Sequence, residues 1–419
     1  MQAGGRCETA DVQRRRLLAL LAVAVALAVA ELGVLVLWPD GGVVTPDEVA
    51  AGRYFSAAQL ERAADYRGPQ LPIYVAQTLL GLVVLGLLVA RPPRVLTRLT
   101  TGSRFVLLRV ALAAAVVSLL LTVVAMPLGA VGRQRGIDVG LVTRSWPGWL
   151  ADVALGGVIQ AALMAAAAVA LIALMRRAPR WWWAPASIVV VAGAGVVLYV
   201  APVALDPLFN RFTPVEQRVR ADVVQLGAAA GIEVGEVLSI DASKRTTAAN
   251  AYVAGFGPTK RVVVYDTLLE RFPRSELRFV LAHELAHQRY DDVPRGLAYV
   301  LLVAPFGLLA AALLLRSLAP AARADARTVP ALALVLALLV PAITMISNQL
   351  SRRVEARADT FALQLTDDPQ ALIDFRRRSV VRNVSEPDPG AVSQWLLGTH
   401  PTALERIGAA EAWRRGARP

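Results

Sequence analysis

The amino-acid sequence predicts an all-α polytopic membrane protein with about seven transmembrane helices and a smaller α+β soluble part that carries a β-hairpin. Of the 419 residues, 56% are hydrophobic and 18% are charged, whereas a soluble domain is about 45–50% apolar and about 25% charged. Seven apolar runs each reach the length of about 20 residues that a helix needs to cross a bilayer. Two remaining stretches are long and polar enough to fold in water.

The apolar runs are rich in Ala, Leu and Val with scattered Gly, as expected of helices that pack against other helices. Their middles lack charge, although Glu31 stands late in the first run. The predicted spans are 17–38, 71–90, 105–130, 150–175, 184–204, 297–316 and 329–347. The first run contains Ala28-Val29-Ala30, which resembles a signal-peptide cleavage site. Apolar residues resume at 32–37, and this favours an uncleaved helix.

The spans divide the chain into four predicted parts. These are five spans with short loops in 1–204, a soluble segment in 205–296, two spans in 297–347 and a C-terminal segment in 348–419. Alternating apolar residues and turn signals in the first soluble segment predict short strands between two helices. The predicted elements are a helix over 214–230, a strand over 236–241, a hairpin of strands 251–256 and 261–265, and a helix over 275–290.

Composition also limits the chemistry. The formal charge is +12, but on so apolar a chain the charge favours loops that face anionic lipid over a nucleic-acid site. Cys7 is the single cysteine, which excludes an internal disulfide framework and a thiolate metal cage. The three histidines are His283, His287 and His400. Any histidine-based metal site must therefore use nearly all of them.

The most informative motif is His283-Glu284-Leu285-Ala286-His287. On a helix, residues four apart lie on one face, so both imidazoles can reach one zinc ion with Glu284 beside them. An apolar stripe on another face of the same helix is formed by Leu277, Val280, Leu281 and Leu285. The motif therefore predicts a zinc site with one ion per chain.

Two histidines leave room for a third protein ligand. His400 is one candidate, and a carboxylate is the other standard choice. Glu355 and Asp359 follow the seventh span at a spacing of four residues and share a helix face. We predict that Glu355 binds the zinc ion and that Asp359 accepts a hydrogen bond from the N–H of a zinc-binding imidazole.

This ligand set predicts hydrolysis. Zinc lowers the pKa of water and polarises a carbonyl oxygen, while Glu284 takes a proton from the water and delivers it to the leaving amine. An oxyanion donor is also required. His400 and Arg406 are the candidates in the C-terminal segment.

The chain resembles the Ste24-type CAAX prenyl proteases, which are integral-membrane zinc metallopeptidases of the M48 group with a zincin-like catalytic domain. The resemblance covers about 205–410. It is carried by residues 206–214, Ser243-Lys244-Arg245, Asn250-Ala251-Tyr252, Gly255-Phe256-Gly257, 260–269, the histidine pair, 351–359, Thr399-His400-Pro401 and Arg406. Residues 1–204 match only as a series of spans.

The resemblance implies zinc ligation by His283, His287 and Glu355, with Glu284 as general base. It also implies that Asn250 contacts the substrate backbone and that His400 and Arg406 stabilise the tetrahedral intermediate. The strand with Tyr252 is expected to pair with an extended peptide substrate. Where the family often has Gly-His-Trp-Lys, this chain has Ala286-His287-Gln288-Arg289, a departure that affects local packing rather than ligation.

Orientation and substrate stay open. Arginines in the N-terminal segment and in loops 91–104 and 176–183 place these parts in the cytoplasm by the positive-inside rule. Seven spans then put both soluble stretches outside, whereas eukaryotic relatives present them to the cytosol. With only Lys244 and Lys260 among the lysines, the composition suggests a GC-rich bacterial genome. It predicts a multi-pass protein of a bacterial plasma membrane, where prenylated substrates are not guaranteed.

Three other functions are compared with a zinc endopeptidase acting on membrane-associated peptides or proteins. A quality-control peptidase of the HtpX type shares the catalytic blocks but has fewer spans before them than the five here. A site-2-type intramembrane protease would carry the histidine motif inside an early span. A transporter or receptor with a vestigial site would place ionisable groups in mid-span, and these spans have almost none.

Overall fold

The computed structural model describes residues 2–39, 41–94, 105–255, 257–320 and 323–419. Arg98 and Arg104, which belong to the basic loop 91–104, and Phe256 of the Gly255-Phe256-Gly257 block lie outside these ranges. The helices up to the sheet are α1 (Gln2–Val36), α2 (Ala57–Arg67), α3 (Gln70–Ala90), α4 (Val106–Asp138), α5 (Trp146–Arg177), α6 (Trp183–Val200) and α7 (Asp206–Phe209). The later ones are α8 (Gln217–Ala230), α9 (Asp266–Arg271), α10 (Arg274–Arg289), α11 (Asp292–Leu318), α12 (Thr328–Thr366), α13 (Pro369–Arg382), α14 (Ala391–Leu397) and α15 (Ala403–Arg414).

Within the described ranges, seven helical segments are long and apolar enough to cross a membrane. They are 11–36, 57–90, 106–138, 146–177, 183–209, 292–318 and 328–366, and each overlaps one predicted span. The expectation of about seven transmembrane helices is therefore confirmed. The seventh segment extends furthest past its predicted end, because the Arg-, Glu- and Ala-rich residues after 347 continue the helix of α12.

Four strands of the described chain form one small mixed sheet in the order β1-β2-β4-β3. The strands are β1 (Phe212–Pro214), β2 (Glu236–Ile240), β3 (Ala251–Ala254) and β4 (Arg261–Tyr265). The predicted hairpin is present, since β3 and β4 pair antiparallel with Tyr252 opposite Val263. Val262, Val263 and Val264 are buried in the centre of the sheet. β3 is left at one edge, and its outer side faces α10.

The soluble stretches share one hydrophobic core. It contains Leu277, Phe279 and Leu281 of α10, together with Leu363 of α12 and Ile407 of α15. Residues of the loop between the first two spans also pack into it, because Val44 N–H donates to Thr360 Oγ1 at 3.0 Å and the Tyr54 hydroxyl donates to Glu411 at 2.7 Å. Segments far apart in the chain are thus fixed around α10.

Candidate active site

Three side chains from two helices converge at the centre of this core. His283 and His287 project from α10, and Glu355 projects from the soluble end of α12. Glu355 Oε2 lies 3.1 Å from His283 Nε2, and Glu355 Oε1 lies 3.6 Å from His287 Nε2. One ligand atom from each of the three residues lies within 4.8 Å of the others. The helical spacing therefore aims two imidazoles and one carboxylate at a single point.

This cluster has the chemistry of a metal site. Two neutral imidazole nitrogens and a carboxylate oxygen form a donor set that zinc prefers. Glu355 Oε2 is buried and has no hydrogen-bond partner of good geometry in the part of the chain that the structure describes. Burial alone lowers the pKa of His283, but the carboxylates of Asp359 and Glu355 raise it to about 9. The site thus concentrates negative charge where a cation would bind.

Each histidine is held from behind by a carboxylate. Asp359 Oδ1 lies 2.9 Å from His283 Nδ1, and Asp292 Oδ2 lies 3.0 Å from His287 Nδ1. Arginines pair with both carboxylates, since Arg406 contacts Asp359 and Arg357 Nη2 lies 2.6 Å from Asp292 Oδ1. A carboxylate acceptor at Nδ1 fixes the tautomer and the ring orientation. Both rings therefore turn Nε2 towards Glu355.

Glu284 lies between the histidines and the edge of the sheet. Its carboxylate is 9% exposed, and Oε2 accepts a hydrogen bond of 3.2 Å from Val253 N–H of β3. Burial raises the pKa of Glu284, although the two neighbouring histidines oppose the shift. A carboxylate with a raised pKa is a stronger base than an ordinary glutamate.

The C-terminal segment contributes His400 and Arg406. His400 Nε2 lies 3.3 Å from Glu355 Oε2, and its Nδ1 lies 2.9 Å from Thr399 Oγ1. Over half of its side chain is accessible from the chamber. The partial loss of bulk water around the ring and the charge of Arg406 lower the pKa of His400 to about 4 against the opposing charge of Glu355, so the ring is neutral at neutral pH. Arg406 is 3% exposed and points at Asp359 and the back of His283, 3.4 Å from Nδ1.

A chamber of about 1000 Å³ opens over these groups. Asn250 and Tyr252 line it together with Glu284, Glu355 and His400. Asn250 is exposed, whereas Tyr252 is partly buried and packs edge-on against Tyr265 at 6.4 Å between ring centroids. The structure therefore places every site residue that the sequence predicts in or directly behind one cavity.

Sequence reasoning missed Asp292, Arg357 and Arg376. Asp292 begins α11 after a chain reversal at Asp291, whose φ is +52°, so no helical periodicity links it to His287. Its position only five residues after His287 is the one available signal. Arg357 lies two residues after Glu355 among other arginines. Arg376 stands in a run of three arginines with nothing to distinguish it.

Comparisons with known proteins agree with this architecture. Residues 214–414 match the model of peptidase family M48, and residues 45–211 match that of the CAAX prenyl protease N-terminal domain with five membrane helices. Together the matches span the helices from α2 to α7 and all of the groups around the chamber, whereas α1 precedes them.

Relatives show the same pattern. An uncharacterised metalloprotease of Bacillus subtilis, YhfN, is 30% identical over 305 residues, which are 71% of this chain and 72% of that protein. A CAAX prenyl protease 1 homologue of rice is 29% identical over 230 residues, about half of either chain. The crystal structure of Ste24p from S. mikatae aligns with a TM-score of 0.74 at 19% identity, covering 94% of this chain and 99% of that one. The predicted fold class is confirmed by this agreement.

Proposed function

Because this chain belongs to peptidase family M48 as a Ste24-type membrane metalloprotease, we propose that it is a zinc-dependent endopeptidase. Its substrates are peptide bonds of membrane-associated peptides or proteins. The observation that carries the proposal is the convergence of His283, His287 and Glu355 beside Glu284, inside one chamber.

His283 Nε2, His287 Nε2 and a carboxylate oxygen of Glu355 would hold the zinc ion. When bound, zinc makes water more acidic and polarises the carbonyl of the scissile bond. Asp359 and Asp292 keep both rings in the required tautomer through their contacts with Nδ1. The arginines behind them compensate the buried negative charge.

Glu284 is the proposed general base. Its buried carboxylate has a raised pKa, so it can take a proton from water and later return it to the amine of the departing peptide. The hydrogen bond from Val253 N–H to Oε2 orients the carboxylate. Its other oxygen remains available for the proton.

His400 and Arg406 are the proposed stabilisers of negative charge on the substrate carbonyl. His400 is neutral and faces the chamber, so an N–H of its ring can donate to an oxyanion. Arg406 also lines the chamber, but its guanidinium is tied to Asp359. We assign it an electrostatic contribution from behind His283.

The outer edge of strand β3 is the proposed binding site for the substrate backbone. Val253 N–H points away from β4 towards Glu284, so the outer side of β3 presents backbone groups next to the reacting centre. An extended peptide can add to such an edge by backbone hydrogen bonding. In this arrangement Asn250 contacts the peptide backbone and Tyr252 borders its path.

The position of the site next to the transmembrane helices favours substrates that are attached to a bilayer. The relatives that carry the name CAAX prenyl protease raise prenylated proteins as one substrate class, but the geometry supports peptide hydrolysis without requiring a prenyl group. We propose a bacterial plasma membrane as the location. The four parts 1–204, 205–296, 297–347 and 348–419 then act as membrane chamber wall, catalytic segment, two further spans and ligand-bearing C-terminal segment.

A direct test uses the purified full-length protein in detergent with a library of quenched fluorescent peptides. Cleavage should stop with a chelator and return with zinc. Glu284→Gln should lower the rate by about 10²–10⁴-fold while keeping the metal. Cleavage by the chelated protein, or by Glu284→Gln at the wild-type rate, would contradict the proposal.

A further inference from the structure

Among the described residues, one cationic side chain of the chamber wall, that of Arg376, forms neither an ion pair nor a hydrogen bond. Arg376 of α13 lines the chamber beside Glu284, Glu355 and His400. Its Nε is buried without a hydrogen-bond partner. Within the described part of the chain, the guanidinium stacks over the Phe375 ring, with Cζ 4.6 Å from the ring centroid.

The two arginines that directly follow Arg376 in α13 are both paired. Arg377 donates to the Tyr54 carbonyl at 3.1 Å and lies 3.7 Å from Asp374. Arg378 forms an ion pair of 3.1 Å with the buried Glu276. Of three consecutive arginines, Arg376 is therefore the one that turns into the chamber.

The carboxylates that face Arg376 are engaged elsewhere. Asp359 is held by Arg406 and His283, Glu355 lies among the imidazoles, and Glu284 accepts from Val253. Glu386 also lines the chamber, but it forms no ion pair with Arg376 across the described chain. The charge of Arg376 thus lacks a partner within 4 Å in these residues.

Two other arginines line the chamber, and both are already engaged, Arg406 by Asp359 and Arg67 by backbone carbonyls. Arg67 donates to the carbonyls of Val384 and Asn383, both at 2.9 Å. The Arg67 guanidinium therefore links α2 to the residues after α13, and these N–H groups are not available to a ligand. Arg376 has no comparable task.

An unpaired guanidinium in a desolvated wall is costly unless an anion completes it. Burial and the charge of Arg406 lower the pKa of Arg376 to about 9, so the group remains a cation at neutral pH. A guanidinium presents a planar fork of donors that matches a carboxylate with two parallel hydrogen bonds. The chamber therefore has a ready site for one peptide carboxylate near the reacting groups.

We propose that Arg376 is a specificity-determining residue that binds a carboxylate of the peptide substrate. The carboxylate is either the free C-terminus or an acidic side chain near the scissile bond. The inference rests on the proposed function in that the occupant is a peptide. It concerns binding and can be measured without turnover.

The test measures binding of fluorescent peptides to full-length Glu284→Gln protein in detergent. Peptides are compared in two pairs, free C-terminal acid against C-terminal amide, and an internal Glu against Gln. At least one acidic member should bind about 10- to 100-fold more tightly than its neutral partner. The pair that shows the preference identifies the source of the carboxylate.

Arg376→Gln in the same background should remove the preference by weakening the acidic peptide alone. Arg376→Lys should keep a reduced preference, because lysine retains the positive charge but lacks the planar pair of N–H donors of the guanidinium. This variant replaces Arg376→Gln in the test if the glutamine variant does not fold. Arg377→Gln is the matched control, since it removes the adjacent arginine outside the chamber, and it should leave the preference intact. Metal content and elution volume establish that each variant is folded.

Two outcomes would overturn the inference. One is a parent protein that binds the acidic and neutral members of both pairs equally. The other is an unchanged preference in both Arg376 variants. Separate cleavage assays keep the two proposals apart, because acid-selective binding without hydrolysis by the wild type would count against the peptidase and not against Arg376.

Discussion

His287 Nδ1 lies 3.0 Å from Asp292 Oδ2 across the junction between two helices, α10 and α11. Asp292 is in turn 2.6 Å from Arg357 Nη2, and the Arg357 guanidinium stacks over the Tyr290 ring at 3.9 Å. The second histidine is therefore braced by the first residue of a transmembrane helix. This arrangement makes the membrane part of the fold a determinant of the metal site.

We expect Asp292→Asn to weaken zinc affinity by about 10- to 100-fold, because the amide is a poorer acceptor for the Nδ1 proton. Competition with a zinc-binding dye on the purified protein measures the affinity. Asp291→Asn is the matched control, since this adjacent residue is exposed and holds a positive φ that Asn tolerates. Equal affinities of the two variants would remove Asp292 from the metal site.

Substitutions of Glu355 and His400 should distinguish the third metal ligand from a residue that acts only in catalysis. Loss of a residue that holds a metal ligand from behind lowers metal affinity by about 10- to 100-fold. Glu355→Gln is expected to reduce zinc affinity by more than this, because it changes a ligand itself. His400→Ala should keep the metal and lower kcat by about 10²–10³-fold through loss of an oxyanion donor. Metal content by mass spectrometry and peptide cleavage are measured on both. If Glu355→Gln retains zinc and His400→Ala loses it, His400 is the third ligand.

The ion pairs between α8 and α10 should make stability depend on pH. Asp222 is 2% exposed, and hydrogen bonds from Arg274 and Arg278 lower its pKa against the opposing effect of burial. A lowered pKa in the folded state stabilises the fold above the unfolded value of about 4, and the contribution is lost as pH falls below it.

Asp222→Asn should therefore cost about 1–3 kcal/mol at pH 7, and the difference from wild type should shrink as pH is lowered below about 4. Thermal unfolding in detergent at several pH values measures this. Asp374→Asn is the control, because its contact with Arg377 at 3.7 Å is exposed and worth little. A destabilisation by Asp222→Asn that does not vary with pH would show that packing, not charge, is responsible.

Cysteine labelling decides the orientation. In a Cys7→Ser background, Ser275→Cys places an exposed thiol at the start of α10, and Arg180→Cys places one in the basic loop between α5 and α6. The positive-inside rule predicts that an impermeant reagent labels Ser275→Cys in intact cells and Arg180→Cys only after lysis. The reverse pattern would place the catalytic segment in the cytosol.

The elements that sequence predicts best are those fixed by local periodicity. Apolar length locates all seven membrane segments, and the spacing of four residues puts His283 and His287 on one helix face. The same spacing links Glu355 to Asp359. The approach of α12 to α10 is a tertiary event, so the choice of Glu355 over His400 depended on a chemical preference and on resemblance. The catalytic and ligand roles of these residues stay predictions.

The groups that sequence does not reveal depend on the ends of elements and on packing. The left-handed residue Asp291 reverses the chain, and only this reversal brings Asp292 to His287. Arg376, Arg377 and Arg378 are identical in type, and the rotation of α13 alone decides which one enters the chamber. Neither feature leaves a periodic signal.

For the proposed peptidase, the unbroken course of α12 from its apolar run to Glu355 would fix the distance between the bilayer and the bond that is cleaved. The apolar run ends near 347, and at 1.5 Å per residue the carboxylate stands about 12 Å further along the helix axis. A continuous helix keeps Glu355 at a constant distance from the lipid surface. Under the proposed function, we expect bonds a few residues from a membrane anchor to be cleaved, and bonds buried in the hydrocarbon or far out in a folded domain to be spared.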